Sequence, residues 1–104
     1  MMTVSDKPWW QWSQSDYNDE EWRRATLLDH GTGNTPKERF GLPVREPDGT
    51  LNRNGVHTAA VRLTGAGGGV HAPEPAKRAA AAELVTLYWA MGETPPDSIA
   101  LLAD

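Results

Sequence analysis

The 104-residue sequence contains no cysteine. That excludes a disulfide scaffold, a thiolate zinc site, an iron–sulfur cluster and a cysteine nucleophile, and it fits a reducing compartment. Apolar residues are scarce, at 38%. No apolar run approaches the ~20 residues that a membrane helix needs, so no membrane partner is expected. The start of the chain lacks an apolar signal core, and no export signal is expected. Net positive charge is also missing. Ten Lys and Arg stand against fourteen Asp and Glu, a balance of −4 that disfavours a strongly basic nucleic-acid binder. One modest core fits a chain of this length, and two do not.

What is present is uneven. Eighteen residues are Gly or Pro, so much of the chain must be loop. Residues 36–80 carry a net charge of +3, between acidic flanks at 1–35 and 81–104. Four of the five tryptophans lie in the first 22 residues. The sequence divides into a Trp-rich N-terminal tail, 1–15, and a single small helical domain, 16–104. Disordered tails carry few large aromatics, so the tail either packs back on the domain or anchors a partner.

Local signals place four helices. Asn18 and Glu21 form a capping-box pair, and Tyr17 and Trp22 are spaced as a hydrophobic staple, predicting a helix over 19–29. Residues 31–41 read as a loop. Phe40, Leu42 and Val44 alternate as a short extended arm, in which Pro43 argues against a central strand. Pro47-Asp48-Gly49 signals a turn. Asn52 caps a second helix, with Leu51 and Val56 as its staple and Val56, Ala59, Ala60 and Leu63 as its apolar face. The glycines from Gly65 to Gly69 stop it, and Val70 returns to the core. A third helix starts at Pro73 and Pro75 and ends at Gly92, with Ala76, Ala80, Leu84, Leu87, Tyr88 and Met91 on one face. Thr94 is placed to cap a short fourth helix docked by Ile99, Leu101 and Leu102. The expected fold is mainly α: a small bundle of three main helices plus a short C-terminal helix, with one extended arm and turn.

The third helix is apolar on a second side as well, at Ala81, Ala82, Val85 and Trp89. A helix apolar on two sides is central to its fold or half of an interface. The candidate interface is therefore Val85 and Trp89 with Trp9, Trp10 and Trp12, covered by one another or by a second chain. The residues Lys37, Arg39, Arg45, Arg53 and Arg62 are candidates for contact with an acidic partner or nucleic acid.

Candidate chemistry is thin. The Gly65–Gly69 run lacks the preceding strand and the Gly-Lys-Ser/Thr of a phosphate loop, so it reads as a helix stop. His30, His57 and His71 have no metal-ligand spacing, and no metal or cofactor is expected. Of the three, His57 stands out for its place near Arg53. The four serines lack nucleophile flanks, and no catalytic residue is assigned.

The stretch Leu42-Pro-Val-Arg-Glu-Pro-Asp-Gly-Thr-Leu-Asn-Arg-Asn-Gly-Val-His57 is followed by an Ala-rich helix, the Gly-rich loop and Pro73-Glu-Pro-Ala-Lys-Arg-Ala-Ala-Ala81. Together with Trp22-Arg23-Arg24-Ala25, it resembles a small domain of unknown function that recurs in actinobacterial phages and prophages. That domain occurs as a short protein, or attached to head-assembly proteins such as capsid maturation proteases. The resemblance covers roughly residues 16–100 and brings no catalytic residue with it. It implies a non-enzymatic structural or interaction module in head assembly: capsid-associated, decorating or docking. The partner would be a capsid, scaffold or protease component, or a second copy in a homo-oligomer. The setting would be the host bacterial cytoplasm during assembly, or the virion. The alternatives are a nucleic-acid-binding module built on the basic 37–62 segment and a small phage factor that binds a host protein.

Overall fold

The structure is a computed structural model that describes residues 3–65 and 70–104. Its elements run β1 (Val4–Ser5), two 3-10 turns (Trp9–Gln11, Gln14–Asp16), α1 (Asp19–Ala25), β2 (Thr26–Asp29), α2 (Pro36–Arg39) and β3 (Phe40–Pro43). They continue with β4 (Leu51–Asn52), α3 (Arg53–Thr64), α4 (Glu74–Ala90) and α5 (Asp97–Ala103). The fold is mainly helical, with two small two-stranded sheets among the described residues.

Helix α1 begins as its sequence dictates. The Asn18 side chain accepts from the Glu21 N–H at 2.8 Å, and Glu21 Oε1 accepts from the Asn18 N–H at 2.8 Å. Tyr17 and Trp22 meet edge to face, ring centroids 5.1 Å apart. The helix stops at Ala25, four residues before the end that its periodicity predicts. Thr26 turns extended, and its hydroxyl donates back to the Trp22 and Arg23 carbonyls. Residues 26–29 instead pair antiparallel with β3, with Leu28 opposite Gly41. As a strand, the segment buries Leu28 and leaves Asp29 at the rim to meet Arg39. Sheet pairing overrides a helical preference worth only tenths of a kcal/mol per residue.

Part of the predicted 31–41 loop is also ordered as helix. Thr35 caps the single turn α2, accepting from the Glu38 N–H at 3.3 Å, and Pro36 occupies the first helical position. β3 then passes through Leu42, whose φ of 59° is left-handed. That conformation is strained for a bulky side chain. Burial of the Leu42 side chain holds it there.

The turn at Pro47-Asp48-Gly49 closes with the Glu46 N–H donating to Thr50 O at 2.8 Å, and Gly49 takes a φ of 94°. β4 follows and pairs in parallel with β1, Val4 opposite Leu51 and Ser5 opposite Asn52. This pairing ties the N-terminal segment to the body of the domain. Asn52 caps α3 by accepting from the Gly55 N–H at 2.9 Å. The whole predicted face of α3, Val56, Ala59, Ala60 and Leu63, is buried. α3 ends at Thr64, and the glycine-run reading beyond it falls on residues 66–69, outside the described residues.

α4 packs against α5, α3 and β2. Ala80, Ala81, Leu84, Leu87 and Tyr88 are its buried residues, with Ala76, Val85 and Met91 half-buried around them. It ends in a Schellman motif. The Glu93 N–H donates to Tyr88 O at 2.9 Å and the Gly92 N–H to Trp89 O at 3.0 Å, with Gly92 at φ 77°. The last helix starts at Asp97, with Pro96 and not Thr94 at its N-cap position and no side-chain cap. Thr94 and Pro95 each precede a proline, which keeps both out of the helical region. The main core centres on Leu28, Val44, Leu51, Val56, Leu84 and Ile99. A second cluster gathers Tyr17, Trp22 and Ala25, with Trp12 and Phe40 against it.

Candidate functional site

The five candidate interface residues do not form one patch. Trp89 projects from α4 with 60% of its surface exposed, and Val85 beside it is half-buried on the main core. Trp10 is 86% exposed. Trp9 instead lies flat over α3. A Cβ placed on Gly55 would stand 3.0–3.1 Å from three atoms of its ring system, so a side chain there would push the indole back by a few tenths of an ångström. Trp12 packs on the second cluster. The N-terminal indoles therefore leave Trp89 uncovered.

Trp9 and Trp12 form the wall of a cleft of about 250 Å³ between the N-terminal segment, β3 and α3. Trp22, Leu42, Pro43, Thr58, Ala59 and Arg62 complete it. A second cleft of about 360 Å³ shares Gln14, Trp22, Leu42, Pro43 and Arg62 with the first, and adds His30, Lys37, Glu38 and Val70. The two make one groove with Arg62 at the junction. Gln14 bridges its rim, its amide donating to Lys37 O at 3.0 Å. The two indole donors here differ. Trp22 Nε1 donates to Phe40 O at 2.8 Å, whereas the buried Trp12 Nε1 has no acceptor among the described residues. A buried donor without a partner costs about 1–3 kcal/mol and is rare.

The five candidate basic residues separate. Arg39 makes a bidentate pair with Asp29, at 2.8 and 3.0 Å. These hydrogen bonds, with the Gly31 N–H, lower the Asp29 carboxyl to a pKa of about 2. Arg53 bonds Asp6 at 2.7 Å and also pairs with Glu93. Arg45 donates to Gly49 O at 3.1 Å. Lys37 and Arg62 have no carboxylate partner among the described residues, and both face the groove.

The interest of His57 lies in Glu93. His57 Nε2 donates to Glu93 Oε1 at 2.7 Å, and its ring stacks on Tyr88 at 5.7 Å. Burial works to raise the Glu93 carboxyl, but the bonds from His57 and Arg53 outweigh it and hold the group below its usual range. The network joins the N-terminal segment, the start of α3 and the end of α4. It is a structural clasp, in which Arg53 engages both carboxylates and His57 bonds the second. His30 Nδ1 donates to His71 O at 2.8 Å. Among the described residues no group of three or more His, Cys, Asp or Glu is placed to hold a metal. No described helix is long and apolar enough to cross a membrane.

The groove has one mark in the sequence, the glycine inside the apolar face of α3. An isolated helical glycine usually answers a packing demand. Nothing local connects Gln14, Leu42 and Thr58 to it. Compared with protein-family profiles, curated proteins and solved structures, the chain matches none.

Proposed function

We propose that the protein is a non-enzymatic interaction module that docks through the outer face of α4, with Trp89 as its central anchor. One observation carries the reading. The core closes beneath Ala80, Leu84 and Tyr88 without any help from Trp89, which stays 60% exposed on a well-terminated helix. A large indole on rigid backbone loses little entropy on binding and buries much area, the profile of a binding hot spot. Val85 at its base is a secondary contact. The resemblance of residues 16–100 to the phage domain supplies the setting: head assembly, with a capsid, scaffold or protease component as the partner. The broad nucleic-acid alternative is weakened, because carboxylates within the chain engage two of its five cations, Arg39 and Arg53.

The test is Trp89→Ala. Helical content by circular dichroism and the unfolding midpoint should hold. Co-sedimentation with capsids of the phage that encodes the protein should weaken by roughly thirtyfold, the equivalent of a ~2 kcal/mol hot spot. Unfolding of the variant, or undiminished co-sedimentation, would overturn the reading. Mass spectrometry of purified particles separates a virion component from a host-directed factor.

A further inference from the structure

We propose that the groove between the N-terminal indoles and α3 is a binding site for a nucleotide unit, its base against Trp9 and Trp12 and its phosphate toward Arg62 and Lys37. The inference is independent of Trp89, which takes no part in lining the groove.

Three observations lead to it. The first is the division of the groove into two chemistries. One lobe is walled by indoles and Ala59, while the other carries Lys37 and His30, and Arg62 borders both. Indole faces stack on any base, and guanidinium and ammonium groups take phosphate oxygens. A ligand with a flat ring at one end and an anion at the other fits that order. The second is the state of the donors. Arg62 and Lys37 have no carboxylate partner among the described residues, although Arg39 and Arg53 nearby in sequence both do. The wall offers hydrogen-bond donors in excess, with Glu38 as its one carboxylate, and Glu38 Oε2 already accepts from the Asn34 N–H at 3.0 Å. The third is the backbone. Leu42, which lines both lobes, is held at a left-handed φ of 59°. Strain of this kind gathers at binding sites, where the surrounding structure fixes it. The lobes, about 250 and 360 Å³, lie on either side of the ~300 Å³ at which small-ligand sites begin.

The test titrates the full chain with adenosine monophosphate, following indole emission. Saturable quenching that weakens as salt rises is expected. Adenosine, which lacks the phosphate, should bind at least about tenfold more weakly. Arg62→Gln and Lys37→Gln should each weaken the nucleotide by about tenfold. Lys77→Gln, which lies on a different cleft at α4, should leave it unchanged. An octathymidylate arm identifies the source. Tighter binding than the mononucleotide marks a single strand as the natural ligand, and equal or weaker binding marks the free nucleotide. No saturable signal from either probe at millimolar concentration would overturn the proposal. So would binding that is indifferent to both Arg62→Gln and Lys37→Gln, since the exposed Arg62 and the half-buried Lys37 both lie outside the core.

Discussion

Asn52 is fully buried and makes three hydrogen bonds at the point where β1, the 44–46 arm and α3 converge. Its Oδ1 caps α3 through the Gly55 N–H, and its Nδ2 donates to Lys7 O at 3.1 Å and to the buried Glu46 Oε2 at 2.8 Å. Asn52→Ala removes all three. Loss of the cap costs about 1 kcal/mol. Stranding the Glu46 carboxyl and the Lys7 carbonyl costs about 1–3 kcal/mol more for each group that water cannot reach. The expected total is about 3–7 kcal/mol, from a stability of roughly 5–15 kcal/mol for a domain of this length. Urea unfolding followed by circular dichroism measures it. A second pair of variants isolates the cause. Asn52→Asp keeps the cap but sets two acceptors face to face at Glu46, so it should destabilise at least as much as Asn52→Ala. Adding Glu46→Gln to Asn52→Asp exchanges donor and acceptor across the same contact, and should recover at least about 1 kcal/mol. A loss below about 1 kcal/mol in Asn52→Ala, or no recovery in the exchanged pair, would refute this account of the junction.

Two further perturbations test the N-terminal half. Burial, reinforced by the nearby Glu46 charge, pushes the Tyr17 hydroxyl up to about 12, and the hydroxyl donates to Arg45 O at 2.5 Å. The folded state holds this proton more tightly than the unfolded chain. Its contribution to stability is therefore complete below about pH 10 and is lost as pH rises from 10 to 12. Tyr17→Phe should flatten that alkaline fall in the urea midpoint, and an unchanged slope would sink the assignment. Gly55→Ala improves helix propensity by up to ~1 kcal/mol but presses a methyl against the Trp9 ring at 3.0 Å. The Trp9 indole resonance should shift, with the gain in stability falling well short of 1 kcal/mol. A full gain with an unmoved Trp9 signal would show that the close approach is not what keeps glycine there.

The parts of this fold that depend on neighbours in sequence were legible. The Asn18–Glu21 box, the Tyr17–Trp22 staple, the Asn52 cap, the face of α3 and the Gly92 stop each involve residues within seven positions of one another. The structure places all of them as their spacing implies. The parts that failed depend on distant partners. Residues 26–29 carry an acceptable helical pattern, and only pairing with β3 makes them a strand. Two-residue strands such as β1 and β4 are too short to have a period at all. Arg53 looked like a free cation because its partners Asp6 and Glu93 lie 47 and 40 positions away.

The same division explains why the functional candidates regrouped. The sequence suggested that the tryptophans of the first fifteen residues and Trp89 act together, since all are large and apolar and none had an assigned core. The chain instead sends Trp9 and Trp12 to α3, where Gly55 leaves room, and keeps Trp89 outward on α4. The basic candidates divide in parallel. Arg39 and Arg53 are spent on holding the fold, and Lys37 and Arg62 converge on the groove that the indoles build. One patch read from composition thus becomes two sites with different chemistry, a single exposed indole and a donor-rich aromatic groove. Because Trp89 takes no part in lining the groove, Trp89→Ala and Arg62→Gln act on separate surfaces. Their effects on partner docking and on nucleotide binding should be independent, and the double variant should show the product of the two single losses and no coupling between them.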